Sequence, residues 1–365
     1  MYRVTAIDLP TFQASRAEWT RLVQAMVMPS IFCTWEWVAA WLEHYGRAYT
    51  PRILFVHRDE ELIAILPLAL DANRRLTYAG SVDLAPDYLD LIGPPDDAAG
   101  CLDAIARFLA DHADEWDTLT IGLLTRESRL AAVWTGAEGS SAQLRERSVS
   151  PFIAFGSTFE EFTQTLSSNA RYNIKRRERQ LLEQQGVRYG EPSNRLEGMR
   201  ALFALHERRA KMKELSSSFT GEALFRFHAD FAERIGEHGW LWLRTLTHQG
   251  EPIAAFYGFS IGGRLFYYQM GFEPSWERHS PGLVLLSQVM KEAFAAGHRE
   301  FDFLRGDEGY KRQWTSRHRT LFSLELYNNT LKGNMLKALA ASKDFLRGRR
   351  AEPSTAVAAT DERSS

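Results

Sequence analysis

Between residues 240 and 304 the chain reads as three short strands, a helix and a fourth strand, an order that few folds accommodate. The strands 240–246, 252–261 and 264–270 are joined by His248-Gln249-Gly250-Glu251 and Gly262-Gly263, turn sequences that fold strands back on one another as an antiparallel meander. An apolar helix over 281–296 then leads through Gly297 into a strand at 300–304. A meander followed by a helix and another strand predicts an α/β (α+β) chain, with mixed, mostly antiparallel sheets flanked by helices.

The N-terminal half repeats this order without repeating its residues. A helix over 32–45 places Trp35, Val38, Trp41, Leu42 and Tyr45 at helical spacing, with Thr34 as its N-cap. A hairpin follows, 52–58 and 62–70 around Asp59-Glu60-Glu61. A strand over 88–92 is stopped by Gly93-Pro94-Pro95; then come a helix over 98–113, a strand over 118–123 and a helix from Ser128. The small, polar stretch 136–141 is expected to close this first lobe. The second opens near Phe152 with a helix over 159–166 and a basic one over 169–185, which carries Arg171, Lys175, Arg176, Arg177 and Arg179 and ends at Gly186. Helices over 197–211 and 222–237 precede the meander, and a strand at 321–327 ends the core. The shared order of helix, hairpin, strand, helix and strand suggests a structural duplication. The expected divisions are 1–150 for an N-terminal lobe on the acceptor side or structural, 151–330 for a catalytic lobe, 331–348 for an amphipathic helix and 349–365 for a disordered tail. The lysines of that helix and the arginines after it suit an anionic membrane surface, although a solvated helix face is the better reading.

Composition narrows the function. The 365 residues are 45% hydrophobic and 25% charged, enough to bury a sizeable core. A net charge of -2 argues against a dedicated nucleic-acid binder, so no DNA partner is expected. Cys33 and Cys101 cannot build a disulfide framework, and His206 and His228 lack a partner at ligand spacing, so no metal is expected. No signal peptide or 20-residue apolar run is legible, which makes the cytoplasm the expected compartment.

The chemistry is expected between Tyr267 and Trp314. Ser280 can cap the helix that follows, Pro281 suits its first position, and Gly282 lets a ligand approach the backbone, an arrangement suited to a pyrophosphate. The strand Phe301-Asp302-Phe303-Leu304 then runs into Arg305-Gly306-Asp307-Glu308-Gly309-Tyr310-Lys311 and Trp314. Glycines, charges and aromatics at a strand end mark a site.

Taken in order, Phe32-Cys33-Thr34-Trp35-Glu36-Trp37, Ala170 to Arg177, Ile253 to Phe259, Tyr267 to Phe272, Ser280-Pro281-Gly282 and Asp302 to Lys311 resemble the GNAT-type acetyltransferase family of CelD-like exopolysaccharide biosynthesis proteins. That family is distantly similar to the FemABX aminoacyltransferases. The resemblance implies two GNAT-like lobes, a tandem acyl-CoA N-acyltransferase fold. It implies acetyl-CoA or another acyl-CoA as co-substrate, the strands near Tyr267–Gly271 and Phe301–Leu304 splayed around its pantetheine arm, and an oxyanion donor at the N–H of Met270 or Gly271. The pyrophosphate would sit at Ser280, Pro281, Gly282 and Leu283. At that turn Arg278-His279-Ser280-Pro281-Gly282 replaces the usual multi-glycine pattern.

Asp307 and Glu308 are the expected bases, with Asp302 behind them; Lys311 is expected to meet developing negative charge or an acceptor phosphate, and Tyr310 to protonate the leaving thiolate. Arg305, Trp314, Tyr268, Gln269, Arg171, Lys175 and Tyr88 are expected to contact substrate. The implied reaction is N-acylation of a sugar-containing or other small-molecule acceptor for the cell envelope, with peripheral contact to a membrane or to polysaccharide machinery. An aminoacyl-tRNA-dependent transferase of FemABX type and a noncatalytic scaffold for polysaccharide assembly are the alternatives.

Overall fold

The computed structural model describes residues 1–82, 84, 86–136, 142–156, 158–212 and 219–351, with Gly136 and 343–351 described by backbone alone. The chain order is β1 Tyr2–Ile7, α1 Leu9–Ala14, α2 Arg16–Gln24, α3 Trp35–His44, β2 Tyr49–Arg58, β3 Glu61–Asp71, β4 Arg75–Tyr78, α4 Ala98–Asp111, β5 Thr118–Thr125, α5 Arg129–Gly136 and β6 Gln143–Ala154. It continues with α6 Phe159–Gln164, α7 Ser168–Glu178, β7 Arg188–Gly190, α8 Arg195–Met212, α9 Glu222–Gly236, β8 Leu241–His248, β9 Glu251–Ile261, β10 Arg264–Phe272, α10 Pro281–Ala295, β11 Glu300–Asp302, α11 Gly309–Arg312, β12 His318–Tyr327 and α12 Leu331–Ala351.

Among the described residues the strands form one sheet in the order β1-β2-β3-β4-β5-β12-β6-β11-β10-β9-β8-β7. The duplication is visible in it. β2-β3-β4-α4-β5 and β8-β9-β10-α10-β11 each place an antiparallel meander beside a helix-connected strand that returns parallel, β4 against β5 and β10 against β11. β6 joins the halves: His318–Glu325 of β12 pair along Gln143–Pro151, and β11 pairs with Phe152–Ala154. The boundary expected near residue 150 thus falls inside a strand, and β12 lies beside β5 of the first half.

Local signals explain most elements. Thr34 caps α3, its Oγ1 accepting from the Trp37 N–H at 3.3 Å, after a single 3₁₀ turn at Ile31–Cys33. Gln249-Gly250 and Gly262-Gly263 take positive φ, as tight hairpin turns require. The stretch 88–92 is not a strand: it makes one isolated bridge, Ile65 to Ile92, and Tyr88 has φ +59. Of the turn at 136–141, only Gly136 and the backbone leading into β6 fall within the described residues, and the tail beyond Ala351 lies outside them.

Of the two core clusters among the described residues, one spans both halves. Trp37 is fully buried, and its ring centroid lies 4.9 Å from that of Phe32, 5.1 Å from Phe227 and 4.9 Å from Phe231, so α3 of the first half packs on α9 of the second. Its indole N–H donates to the Gly80 carbonyl at 3.0 Å. Trp37 and Tyr88 are therefore core residues. Trp35 stacks on Phe12 and donates to its carbonyl.

Candidate active site

β10 and β11 pair for only three residues, Arg264 with Glu300, Leu265 with Phe301 and Phe266 with Asp302. Beyond that point β10 runs on along β9 to Phe272, whereas Phe303 turns to β6, its N–H donating to the Pro151 carbonyl at 2.9 Å. The strands part there. A bulge between Tyr267 and Gln269 adds to the opening by inserting Tyr268 into β10. The Met270 N–H donates at 2.9 Å to its neighbour's side-chain oxygen, Gln269 Oε1, a contact that another carbonyl oxygen can replace.

One cleft lies at this opening and a second lies beside the start of α10. The first, about 210 Å³, is lined by Asp87, Tyr267, Tyr268, Gln269, Arg305, Glu308, Tyr310 and Lys311, with Phe32, Leu84 and Phe219 on its apolar side. The second, about 450 Å³, lies between the N-terminus of α10 (Ser280, Leu283) and one face of α7 (Asn169, Asn173, Arg176, Arg177), and Gln313 and Trp314 close it. The segment from Gly309 to Trp314 separates them, offering Tyr310 and Lys311 to one and Gln313 and Trp314 to the other.

Asp87 dominates the first cleft. It is 2% exposed, and its Oδ2 accepts the Arg305 N–H at 2.6 Å. Its Oδ1 has no hydrogen-bond donor among the described residues and only a long approach, 3.9 Å, from the Arg305 guanidinium. Burial pushes its pKa up to about 6, against the opposing pull of Arg305 and Lys311. A carboxylate titrating near neutrality with one oxygen uncommitted can serve as a general base. The placement of Asp87 depends on a meeting of the two halves that no local pattern records.

The expected bases fare differently. Asp307 is exposed, pairs with Arg312 at 3.3 Å and does not line the cleft. Glu308 stands at the rim, its Oε2 2.8 Å from the Lys311 ammonium. Asp302 is buried away from the cleft, accepting from Tyr88 Oη at 2.7 Å, Ser150 Oγ at 3.0 Å, the Leu304 N–H at 2.7 Å and Arg319 at 3.1 Å. It positions the strand end, and Tyr88, 2% exposed, is spent on it rather than on substrate. Arg305 pairs across the halves with Asp87.

Lys311 is 3% exposed, with its ammonium on the carbonyls of Leu304, Arg305 and Gly306 at 3.3, 2.8 and 3.4 Å. Those contacts and Glu308 use its donors, so it pins the loop rather than reaching for a phosphate. Tyr310 packs edge-on to Tyr267, the centroids 6.3 Å apart. Burial raises both hydroxyls, Tyr267 to about 12 and Tyr310 well above the ordinary tyrosine range, so both stay protonated at neutral pH. Tyr268 lies on the cleft wall, and its hydroxyl is 3.3 Å from the fully buried His228, whose pKa burial lowers to about 3.

In the second cleft Ser280 does not cap with its side chain. It takes a left-handed conformation, φ +56, and its carbonyl accepts the Val284 N–H at 3.2 Å. Pro281 and Gly282 are buried at the helix start, and a Cβ on Gly282 would lie 3.1 Å from Met270 Cε. Trp314 is 3% exposed and its indole N–H has no partner among the described residues. That N–H, the α10 N-terminus and the arginines of α7 suit a ligand with anionic groups and a carbonyl-bearing arm. Glu178 holds α7 in place, accepting from Ser287, Gln288 and Lys291 of α10 at 2.7–2.8 Å. Arg171 and Lys175 are outside this cleft: Arg171 donates to the Gln164 and Leu166 carbonyls, and Lys175 is exposed. The i, i+4, i+7, i+8 spacing of Asn169, Asn173, Arg176 and Arg177 was the legible signal for the right face.

Gly271 ties this wall to α8, since a Cβ there would lie 2.5 Å from the His206 N and 2.9 Å from the Leu205 carbonyl carbon. Both are backbone atoms and cannot swing away. Gly271→Ala is expected to cost about 1–3 kcal/mol, read as a lower midpoint in thermal denaturation.

Residues 168–312 match a family model described as an acetyltransferase (GNAT) domain. No curated protein sequence matches the chain. Among solved structures, FemX superposes with a TM-score of 0.68 at 10% identity, over 92% of this chain and 100% of that one. The C-terminal domain of a putative lysylphosphatidylglycerol synthetase from Agrobacterium fabrum gives 0.57 at 11% identity, covering 92% and 97%. L-PGS from Bacillus licheniformis gives 0.52 at 14%, covering 82% and 94%. At these identities the likeness is one of fold. No helix among the described residues is long and apolar enough to cross a membrane.

Proposed function

We propose that this chain, which matches a GNAT acetyltransferase domain over residues 168–312, transfers an acyl group from a coenzyme A thioester to an amine on a sugar-containing precursor of the cell envelope. The observation that carries the reading is the early end of the β10–β11 ladder, which opens beside a cleft holding a buried carboxylate raised toward neutrality, with a basic cleft on the other side of the 309–314 segment. The donor's phosphates are assigned to the α10 N-terminus with Arg176 and Arg177, and its acyl thioester to the slot beside Met270. The acceptor is assigned to the polar cleft of Asp87, Gln269, Arg305 and Glu308, whose mix of donors and acceptors suits hydroxyl-rich ligands.

In this reading the acceptor nitrogen attacks the thioester carbonyl carbon while Asp87 takes the proton it sheds. The Met270 N–H, exchanged from Gln269, meets the oxygen on which negative charge develops. The carbon–sulfur bond then breaks, and the Tyr310 hydroxyl protonates the departing thiolate and is reprotonated from solvent. The products are the amide and free coenzyme A.

Calorimetric titration separates this reading from its rivals. Acetyl-CoA is expected to bind with a Kd in the region of ~1–100 μM, and Gly282→Leu, which fills the space beside Met270 and Phe272, to weaken it about tenfold or more. Binding of deacylated tRNA without acetyl-CoA would transfer the case to an aminoacyl-tRNA donor. Binding of neither would leave a scaffold.

A further inference from the structure

We propose that α12 docks the protein on an anionic lipid surface. Leu331, Met335 and Leu339 recur at i, i+4 and i+8 and so form one stripe of the helix. An apolar stripe at that spacing ordinarily faces a core. Here its residues are 93%, 56% and 51% exposed, because another side of the helix faces the protein. Gly333 is buried so close to the end of β12 that a Cβ would lie 2.2 Å from the Asn328 carbonyl oxygen, and Lys332 Nζ reaches the Asn73 carbonyl at 2.9 Å. These contacts fix the rotation of the helix and leave the stripe outward.

Charge selects the occupant. Besides Lys332, whose ammonium is held by the Asn73 carbonyl and Asp117, the sequence of Leu331–Ala351 carries Lys337, Lys343, Arg347, Arg349 and Arg350 against Asp344 alone, in a chain whose net charge is -2. An outward apolar stripe on a basic helix fits the interface of a bilayer rich in acidic headgroups, the apolar side chains entering the acyl boundary and the cations meeting phosphates. A second copy would set two basic helices against each other, which argues against self-pairing. At about 1.5 Å per residue the helix is ~30 Å long, enough to lie along a surface. The inference stands apart from the transfer chemistry, though it would bring the acceptor cleft to membrane-linked precursors.

The test is flotation of the full chain with vesicles of phosphatidylcholine alone or mixed with phosphatidylglycerol. The chain is expected to float with the mixed vesicles and not with the neutral ones, and to be released as salt is raised. The variant Leu331→Gln/Met335→Gln/Leu339→Gln, altered only at exposed positions, is expected to lose partitioning about tenfold or more while keeping its circular dichroism and its acetyl-CoA titration. Absence of binding to acidic vesicles, equal binding by the triple variant, or a dimer that the triple variant converts to monomer would each overturn the proposal.

Discussion

Asp87→Asn is expected to lower kcat/KM for amine acylation by about 10²–10⁴-fold while making the folded protein more stable at pH 7. The two effects have one cause. Burial lifts the carboxyl from an ordinary 3.8 to about 6, so above that pH the native state carries an ionised, nearly dry carboxylate whose Oδ1 has no donor. Ionisation makes Asp87 a base and also costs folding energy. With the folded pKa above the unfolded one, the native chain holds a proton between about pH 4 and 6 that the unfolded chain has released. The stability this gives is fully present below the unfolded value and is lost as pH rises through about 6. Asparagine keeps the acceptor for the Arg305 N–H and removes the charge, so the gain at pH 7 is on the order of 2 kcal/mol. In the wild type kcat/KM should rise with pH through about 6, and the variant should lose that limb. Chemical denaturation at pH 5 and 7 with a rate profile over the same range reads both; a variant that is less stable and equally active would return Asp87 to a structural role.

Much of the architecture was legible because it is local. The meander 240–270, the Thr34 cap and the helix opened by Pro281 follow from short-range patterns, and the shared order of the two halves was visible although their residues differ. Local patterns did not reveal which strands meet across the join. β12 lies beside β5, and β11 parts from β10 after three residue pairs, both consequences of β6 serving the two halves. The site divides the same way. Tyr267 to Lys311 is one stretch of chain, so its glycines, charges and aromatics could be read together as a candidate site. Within it, loop charge alone could not distinguish exposed Asp307 from buried Asp302, because burial is set by partners far along the chain. Asp87 sits between Pro86 and Tyr88 with no periodicity around it, and its burial against Arg305, 218 residues later, is set only when the two halves meet. Ser280 shows a local rule overridden: its side chain could cap, but the left-handed turn into α10 leaves the helix start without that bond.

Lys311→Met tests the loop that holds this arrangement, and it is expected to cost about 2–4 kcal/mol of stability and to move the acid limb of kcat/KM upward. Three carbonyls converge on the ammonium from a loop in which Leu304 and Gly306 take left-handed φ values of 54° and 112°, a path that turns the peptide oxygens inward. Methionine fills the volume of the aliphatic stem but leaves those oxygens without a donor and Glu308 without its partner. The second effect is electrostatic. Lys311 is one of the cations that favour the ionised form of Asp87, so its loss should raise the pKa of that base from about 6 and require a higher pH for the same rate. A role confined to structure predicts a lower denaturation midpoint with the pH limb unmoved. A role in holding an acceptor phosphate predicts a raised KM with kcat and the limb unchanged. Movement of the limb distinguishes a lysine that keeps the loop and its base in register from both.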